Sequence, residues 1–208
     1  MQEVQSPVRY EPAVRRPRSA QTRARLLRSA LSLFWERGYH GAGTNEIGAA
    51  AGLSGPSIYR HFATKDDMLV AGVLDGAEKL AAGAIAAQHE TDPRRGLELL
   101  CASFVEVALK YPEVLGVYFY ESRHVPAEAK VELDQSGRRY LHHYERRLAS
   151  VRPDLSAQEV QLRVVAASQM IAGTCTDLPK VPKKALKDSL TKRMLAALLA
   201  DMELEPAR

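Results

Sequence analysis

The sequence predicts an all-α fold, a small three-helix N-terminal head on a larger helical body. Three observations lead there. Apolar residues recur at three- and four-residue spacing through every long segment, prolines and glycines punctuate those segments, and no stretch shows the strict alternation of a half-buried strand. The chain has 208 residues, 46% of them hydrophobic, which is enough to bury a sizeable core. It contains no uncharged apolar run of membrane-spanning length and no signal-peptide core at its start, so a cytosolic protein is expected.

Residues 1–18 hold three prolines and little periodic apolar content, and read as a flexible basic arm. From Ala20 to Gly38, Leu27, Ala30, Leu31 and Phe34 repeat at helical spacing and predict the first helix. Ile47 and Ala51 share one face of a short second helix. Gly52 then stands where a helix end favours a left-handed residue. Leu53 can pack inward from the turn, and Ser54 is the predicted N-cap of a third helix, its side chain near the Ser57 N–H. Pro56 is tolerated in that helix's first turn, and Ile58 with Phe62 supplies its buried face. This head spans 19–64.

The body, 65–208, continues in helices. Thr64 caps a long one that opens on Lys65, Asp66 and Asp67 and carries Met68, Leu69, Val73, Ala77, Leu80, Ala84 and Ile85 to about His89. Pro93 opens the next, with Leu97, Leu100, Cys101, Phe104 and Ala108. A shorter one from Glu113 to Ser122 contains Tyr118, Phe119 and Tyr120. Pro126 leads a helix to about Val151 with Val131, Leu133, Tyr140, Leu141, Tyr144 and Leu148 on its stripe. Ser156 and Glu159 form a capping-box signature for a helix to about Thr174, and Lys183 to Glu203 forms the last, with Leu186, Leu190, Met194, Ala197 and Leu198.

Two short helices joined by a tight turn have helix-turn-helix geometry, in which the second helix enters a DNA major groove. Its N-terminal residues meet the base edges, which singles out Gly55, Pro56, Ser57 and Arg60, with Ser54 and His61 beside them. Arg60 is the candidate able to contact guanine bidentately. Thr44, Tyr59 and Lys65 are better suited to phosphates, where hydroxyls and ammonium groups fix register without reading sequence. Charge agrees. Residues 15–65 carry nine Lys and Arg against two acids, while the whole chain is only +4, so the rest is net acidic. Arg16 and Arg18, just before the first helix, can reach phosphates or a neighbouring minor groove as an arm; a solvated tail has the same composition.

The run Ile47-Gly48-x-x-Ala51-Gly52-Leu53-Ser54-x-x-x-Ile58-Tyr59-x-His61-Phe62-x-x-Lys65-x-x-x-Leu69 resembles the DNA-binding signature of tetracycline-repressor (TetR) type regulators. Upstream, Arg25-Leu26-Leu27-x-x-Ala30-Leu31-x-Leu33-Phe34-x-x-x-Gly38-Tyr39 looks like that family's first helix and its Gly-aromatic exit. The resemblance covers about a quarter of the chain. Three positions depart from the family pattern: Gly43 where a Ser or Thr often caps the second helix, Gly48 where Ala is usual, and Pro56 where Gly is common. Gly48 is expected to cost the second helix less than about 1 kcal/mol, and Pro56 removes a backbone donor at the DNA-facing surface.

The resemblance implies a homodimeric transcription regulator, most often a repressor, that leaves a palindromic operator when a small hydrophobic effector enters its body. The last two helices, with Val160, Val164, Ala167, Met170 and Ile171, are expected to pair with a second copy, or to fill the protomer's own core. Cys101, Phe104, Leu115, Tyr118, Phe119, Tyr140, Tyr144 and Met170 offer apolar walls with phenolic handles for a pocket, and ordinary core packing explains each equally well. The GPSIYRHF run with a Tyr-rich sixth helix is similar to actinobacterial regulators found near acyl-CoA metabolism genes, which makes an acyl-CoA or related acid the expected effector.

Other classes find less support. No HExxH, GxSxG or paired-carboxylate motif is present, His142 and His143 are adjacent on one helix, and Cys and His residues lack metal-ligand spacing, so neither an enzyme nor a metal or other cofactor is expected. Cys101 and Cys175 are expected to be buried small apolar residues. An architectural DNA-binding protein without an effector is the alternative, and the long apolar body weighs against it.

Overall fold

The structure is a computed structural model that describes residues 17–177 and 183–201. Residues 1–16 of the basic arm, Arg16 included, lie outside the described residues, as does the side chain of Arg18, while Pro17 and Arg18, expected in the arm, open the first helix. The described residues form nine α-helices and no strand: α1 (Pro17–Gly41), α2 (Thr44–Ala50), α3 (Gly55–Ile58), α4 (Lys65–Gln88), α5 (Pro93–Lys110), α6 (Pro112–Gly116), α7 (Ala127–Val151), α8 (Ala157–Asp177) and α9 (Lys183–Leu199). No helix among the described residues is long and apolar enough to cross a membrane.

Two cores organise these helices. The head core gathers Leu26, Ala30, Leu31 and Phe34 of α1 around Ile47, Ala51, Ile58 and Phe62. It does not end at residue 64. Met68, Leu69 and Val73 of α4 belong to it, and Val114, Val117 and Val125 close it from the body side. The body core packs α4, α5, α7, α8 and α9 around Leu80, Leu97, Phe104, Tyr144, Val164 and Met194. Tyr118 packs against both cores. The long helix α4 is common to the two halves, touching α1 at one end and α5 and α7 along the rest.

Local chemistry sets the helix ends. The Thr64 hydroxyl accepts from the Asp67 N–H at 3.0 Å while the Asp67 carboxylate accepts from the Thr64 N–H at 3.0 Å, a reciprocal cap that starts α4. Asp92 caps α5 by accepting from Arg94 and Arg95 N–H, and Ser156 caps α8 by accepting from Glu159 N–H at 3.2 Å. At the far end, the guanidinium of Arg163 donates to the Leu198 and Ala200 carbonyls and that of Arg152 to the Leu199 carbonyl. These bonds satisfy acceptors that the end of α9 leaves open.

Several sequence expectations need correction. The segment predicted as one helix over Glu113 to Ser122 is a short α6 followed by a π-helical turn over Val117–Glu121 and a 3₁₀ turn over Ser122–His124. Ile85 and Val131, placed on apolar stripes, are 55% and 61% exposed. The last helix ends at Leu199, Ala200 and Asp201 are not helical, and Met202 and Glu203 lie outside the described residues. Of the two places open to Val160, Val164, Ala167 and Ile171, a dimer face or the protomer's own core, the structure puts all four in the core. The exposed face of α8 carries Leu162, Ala166, Gln169 and Met170 instead.

Candidate nucleic-acid interface

The turn between α2 and α3 is built by the backbone. Ala51 ends α2, Gly52 takes a left-handed φ of 65°, and the N–H groups of Gly52 and Leu53 donate to the carbonyls of Ala49 and Gly48 at 2.9 and 2.8 Å. This is a Schellman closure, and it needs a residue without a Cβ at Gly52. Gly48 serves a different purpose. A Cβ there would overlap the Ile58 side chain, so the absence of one lets α3 sit directly on α2. The Ala usual at this position in the resembling family would demand that Ile58 move.

α3 is shorter than expected. Helical bonding covers Gly55–Ile58, and the chain then turns so that His61 and Phe62 N–H both donate to the Ile58 carbonyl. Ser54 is the N-cap in backbone conformation, but its hydroxyl pairs with the Ser57 hydroxyl at 3.0 Å and its carbonyl, not its side chain, accepts the Ser57 N–H. Ile58 and Phe62 are buried as predicted. Ser54, Pro56, Tyr59 and Arg60 are exposed, with Gly55, Ser57 and His61 half-buried among them and Thr44 half-buried at the start of α2. The arrangement brings the expected reading residues onto one outward surface, with Tyr59 standing 56% exposed at its edge.

Cations near this surface are held in different ways. Arg37 pairs with Glu46 at 2.8 Å, and Glu46 also accepts the Gly43 N–H at 3.2 Å. The Gly43 amide and then the Arg37 charge hold the Glu46 carboxyl below its usual range. Arg23 lies over the Phe62 ring at 4.3 Å. Lys65, expected on a phosphate, donates to the Tyr39 carbonyl at 2.9 Å and the Ala42 carbonyl at 3.2 Å, above the Tyr39 ring. Its ammonium satisfies the carbonyls that the end of α1 leaves open. Arg60 and, further back on α1, Arg25 and Arg28 are exposed.

Behind the surface lies a joint that sequence reasoning missed. Gly38 takes φ 73° within α1 and turns the chain, so that the Tyr39 N–H donates to the Glu121 carboxylate at 3.0 Å, 82 residues away. The Tyr39 hydroxyl donates to Asp66, and burial, reinforced by that carboxylate, pushes the phenol well above its ordinary range. His124 stacks on Tyr39, and the Trp35 and Tyr120 rings lie 6.0 Å apart. The π-helical turn thus places Glu121 and Tyr120 against α1. The Gly38-Tyr39 pair was visible in the sequence, but its carboxylate partner sits on another element and leaves no local signal.

Most of the expected pocket residues are packed into the body core. Cys101, Phe104, Leu115, Tyr140 and Tyr144 are closed into the body core. The Tyr140 hydroxyl donates to that of Tyr144, which donates to the Leu100 carbonyl at 2.7 Å. Burial pushes the Cys101 thiol up to about 12. Tyr118 and Phe119 are half-buried, and Met170 is 43% exposed on the outside of α8. Two cavities flank this core. One of about 530 Å³ opens between the end of α4, the start of α5 and α7; a groove of about 820 Å³ runs between α7 and α8.

An all-helical body joined to a helix-turn-helix head defines a class of DNA-binding architecture, and comparison with known proteins places the chain within it. Residues 26–71 match the model of the bacterial regulatory proteins of the tetR family. The matched stretch takes in the head from Leu26 and the start of α4. It is 36% identical over 85 residues to the HTH-type transcriptional activator FasR of Mycolicibacterium smegmatis; the match spans 40% of this chain and 39% of that protein's length. A tetR-family regulatory protein from Rhodococcus RHA1 superposes with a TM-score of 0.74 at 19% identity, over 86% of this chain and 97% of that one. AibR, in complex with isovaleryl coenzyme A and operator DNA, superposes with a TM-score of 0.69 at 16% identity, over 83% of this chain and 97% of its own. These likenesses in structure establish a shared fold across head and body.

Proposed function

We propose that the protein is a sequence-specific, ligand-responsive regulator of transcription, a homodimer that binds a palindromic operator through α3 and releases it when an effector occupies the body. The exposed residues Ser54, Pro56, Tyr59 and Arg60, in and just beside a short helix seated against Gly48, carry the DNA-binding reading. Gly55, Ser57 and Arg60 face bases and Thr44 and Tyr59 face phosphates. Lys65 acts indirectly, by fixing the end of α1. We assign the head to residues 19–64, with α4 as the lever that begins in the head core and ends in the body.

An acyl-CoA or related hydrophobic acid is the proposed effector. The coenzyme A thioester in the AibR complex supports that choice, and the family habit of release by effector supports repression. Dimerisation is assigned to the exposed face of α8, where Leu162, Ala166 and Met170 present apolar surface at helical spacing, together with α9. A gel-shift titration with the DNA upstream of the protein's own gene tests the reading. Specific, salt-sensitive binding that palmitoyl-CoA relieves is expected. Binding indifferent to sequence would remove the central claim, and binding indifferent to every thioester would favour an architectural protein.

A further inference from the structure

The cavity of about 530 Å³ beside α7 has a composition unlike the apolar core next to it. His143, Arg146 and Arg147 project from α7, Gln88 and Thr91 come from the end of α4 and the turn after it, and Ser150 closes one side. Its floor is Ala84, Ala87 and Leu100, all members of the body core. Glu90 is the acid on its wall. The volume lies within the range of small-molecule sites.

Arg147 is held there by construction. Its guanidinium donates to the Ala87 carbonyl at 2.5 Å, the Glu90 carbonyl at 2.9 Å and the Asp92 carbonyl at 3.4 Å, closing the carbonyl end of α4. Gly96 makes room for it, since a Cβ at that position would overlap the guanidinium. Arg146 is exposed beside it, and the Ser150 hydroxyl donates to the Arg146 carbonyl. Burial, then His142, Arg146 and Arg147, holds the His143 imidazole below its usual range. The wall is therefore a positive potential with hydroxyl and amide donors around it and an apolar floor.

We infer that this cavity seats the phosphate-bearing end of an amphiphilic ligand, with Arg146, Arg147 and His143 on the phosphate and the apolar portion directed onto Leu100 and the body core. An anchored guanidinium, Arg147, beside an exposed one, Arg146, suits a multiply charged phosphate better than a single carboxylate. The inference rests on the effector reading above and adds the place and chemistry of the head group. It also ties occupancy to α4, because Arg147 holds both the cavity wall and the end of that helix.

Calorimetric titration of the full chain with coenzyme A, palmitate and palmitoyl-CoA tests it. Coenzyme A is expected to bind without its acyl chain, and Arg146→Ala to weaken it on the order of tenfold. Gly96→Ala, which keeps every charge but displaces Arg147, should weaken it as well, and Arg139→Ala, outside the cavity, should not. The His143 ring resonance should titrate at higher pH with coenzyme A bound, against the fixed background of His142, Arg146, Arg147 and Glu90. Unchanged affinity in both Arg146→Ala and Gly96→Ala overturns the assignment. So does palmitate binding as tightly as palmitoyl-CoA, which would assign the site to a carboxylate. Operator release is read separately by gel shift: coenzyme A binding in the cavity without release by palmitoyl-CoA would sink the effector reading and leave the site standing.

Discussion

Arg60 and Lys65 are five residues apart in a cationic stretch, yet the structure gives them different work. Arg60 is exposed on the outward surface of the head. Arg60→Ala is expected to relax sequence preference, so that gel-shift affinities for the operator and for single-base variants converge by on the order of 1–3 kcal/mol at one position. Lys65 caps two carbonyls of the α1 end. Lys65→Gln should lower the stability of the head by about 1–3 kcal/mol in a urea titration, because charged hydrogen bonds are lost and the carbonyls lose their partner. Loss of DNA binding with unaltered stability would return Lys65 to the phosphate role.

At the scale of elements, the α2–α3 turn fixes how α3 sits on the head. Gly52→Ala forces a side chain into a left-handed backbone and is expected to cost about 1–2 kcal/mol, measured as a lowered midpoint of thermal unfolding. The joint between α1 and the π-helical turn over Val117–Glu121 links the head to the same segment that presents Tyr118 to both cores. A π-turn inserts an extra residue into a helix and re-aims the chain beyond it. Here that re-aiming brings Glu121 to the Tyr39 N–H.

For the whole molecule, charge and assembly are what matter. Residues 15–65 hold the chain's excess of cations while the remainder is net acidic, an asymmetry that favours presenting that end to a polyanion. The outward face of α8 places Leu162, 62% exposed, and Met170, 43% exposed, two helical turns apart. Leu162→Glu is expected to convert the proposed dimer to a monomer in analytical ultracentrifugation, and to abolish tight operator binding if, as proposed, two heads act together. A dimer that survives would move the interface elsewhere on the surface.

Periodicity and punctuation made most helices legible in the sequence: the caps at Thr64, Asp92 and Ser156 and the left-handed Gly52 are local devices, and local devices leave local signals. The helix-turn-helix motif was legible for the same reason, since its turn and apolar spacing lie within about twenty residues. What the sequence could not decide was which side of an apolar helix faces inward. Val160 and Met170 both look like core or interface residues until α5 and α9 are packed against α8, and only then is one buried and the other exposed. The long-range pairings were equally hidden. Glu121 with Tyr39, Arg147 with the end of α4 and Lys65 with the end of α1 join groups far apart in the chain, where unmet backbone donors and acceptors are satisfied by whichever side chain the tertiary fold delivers.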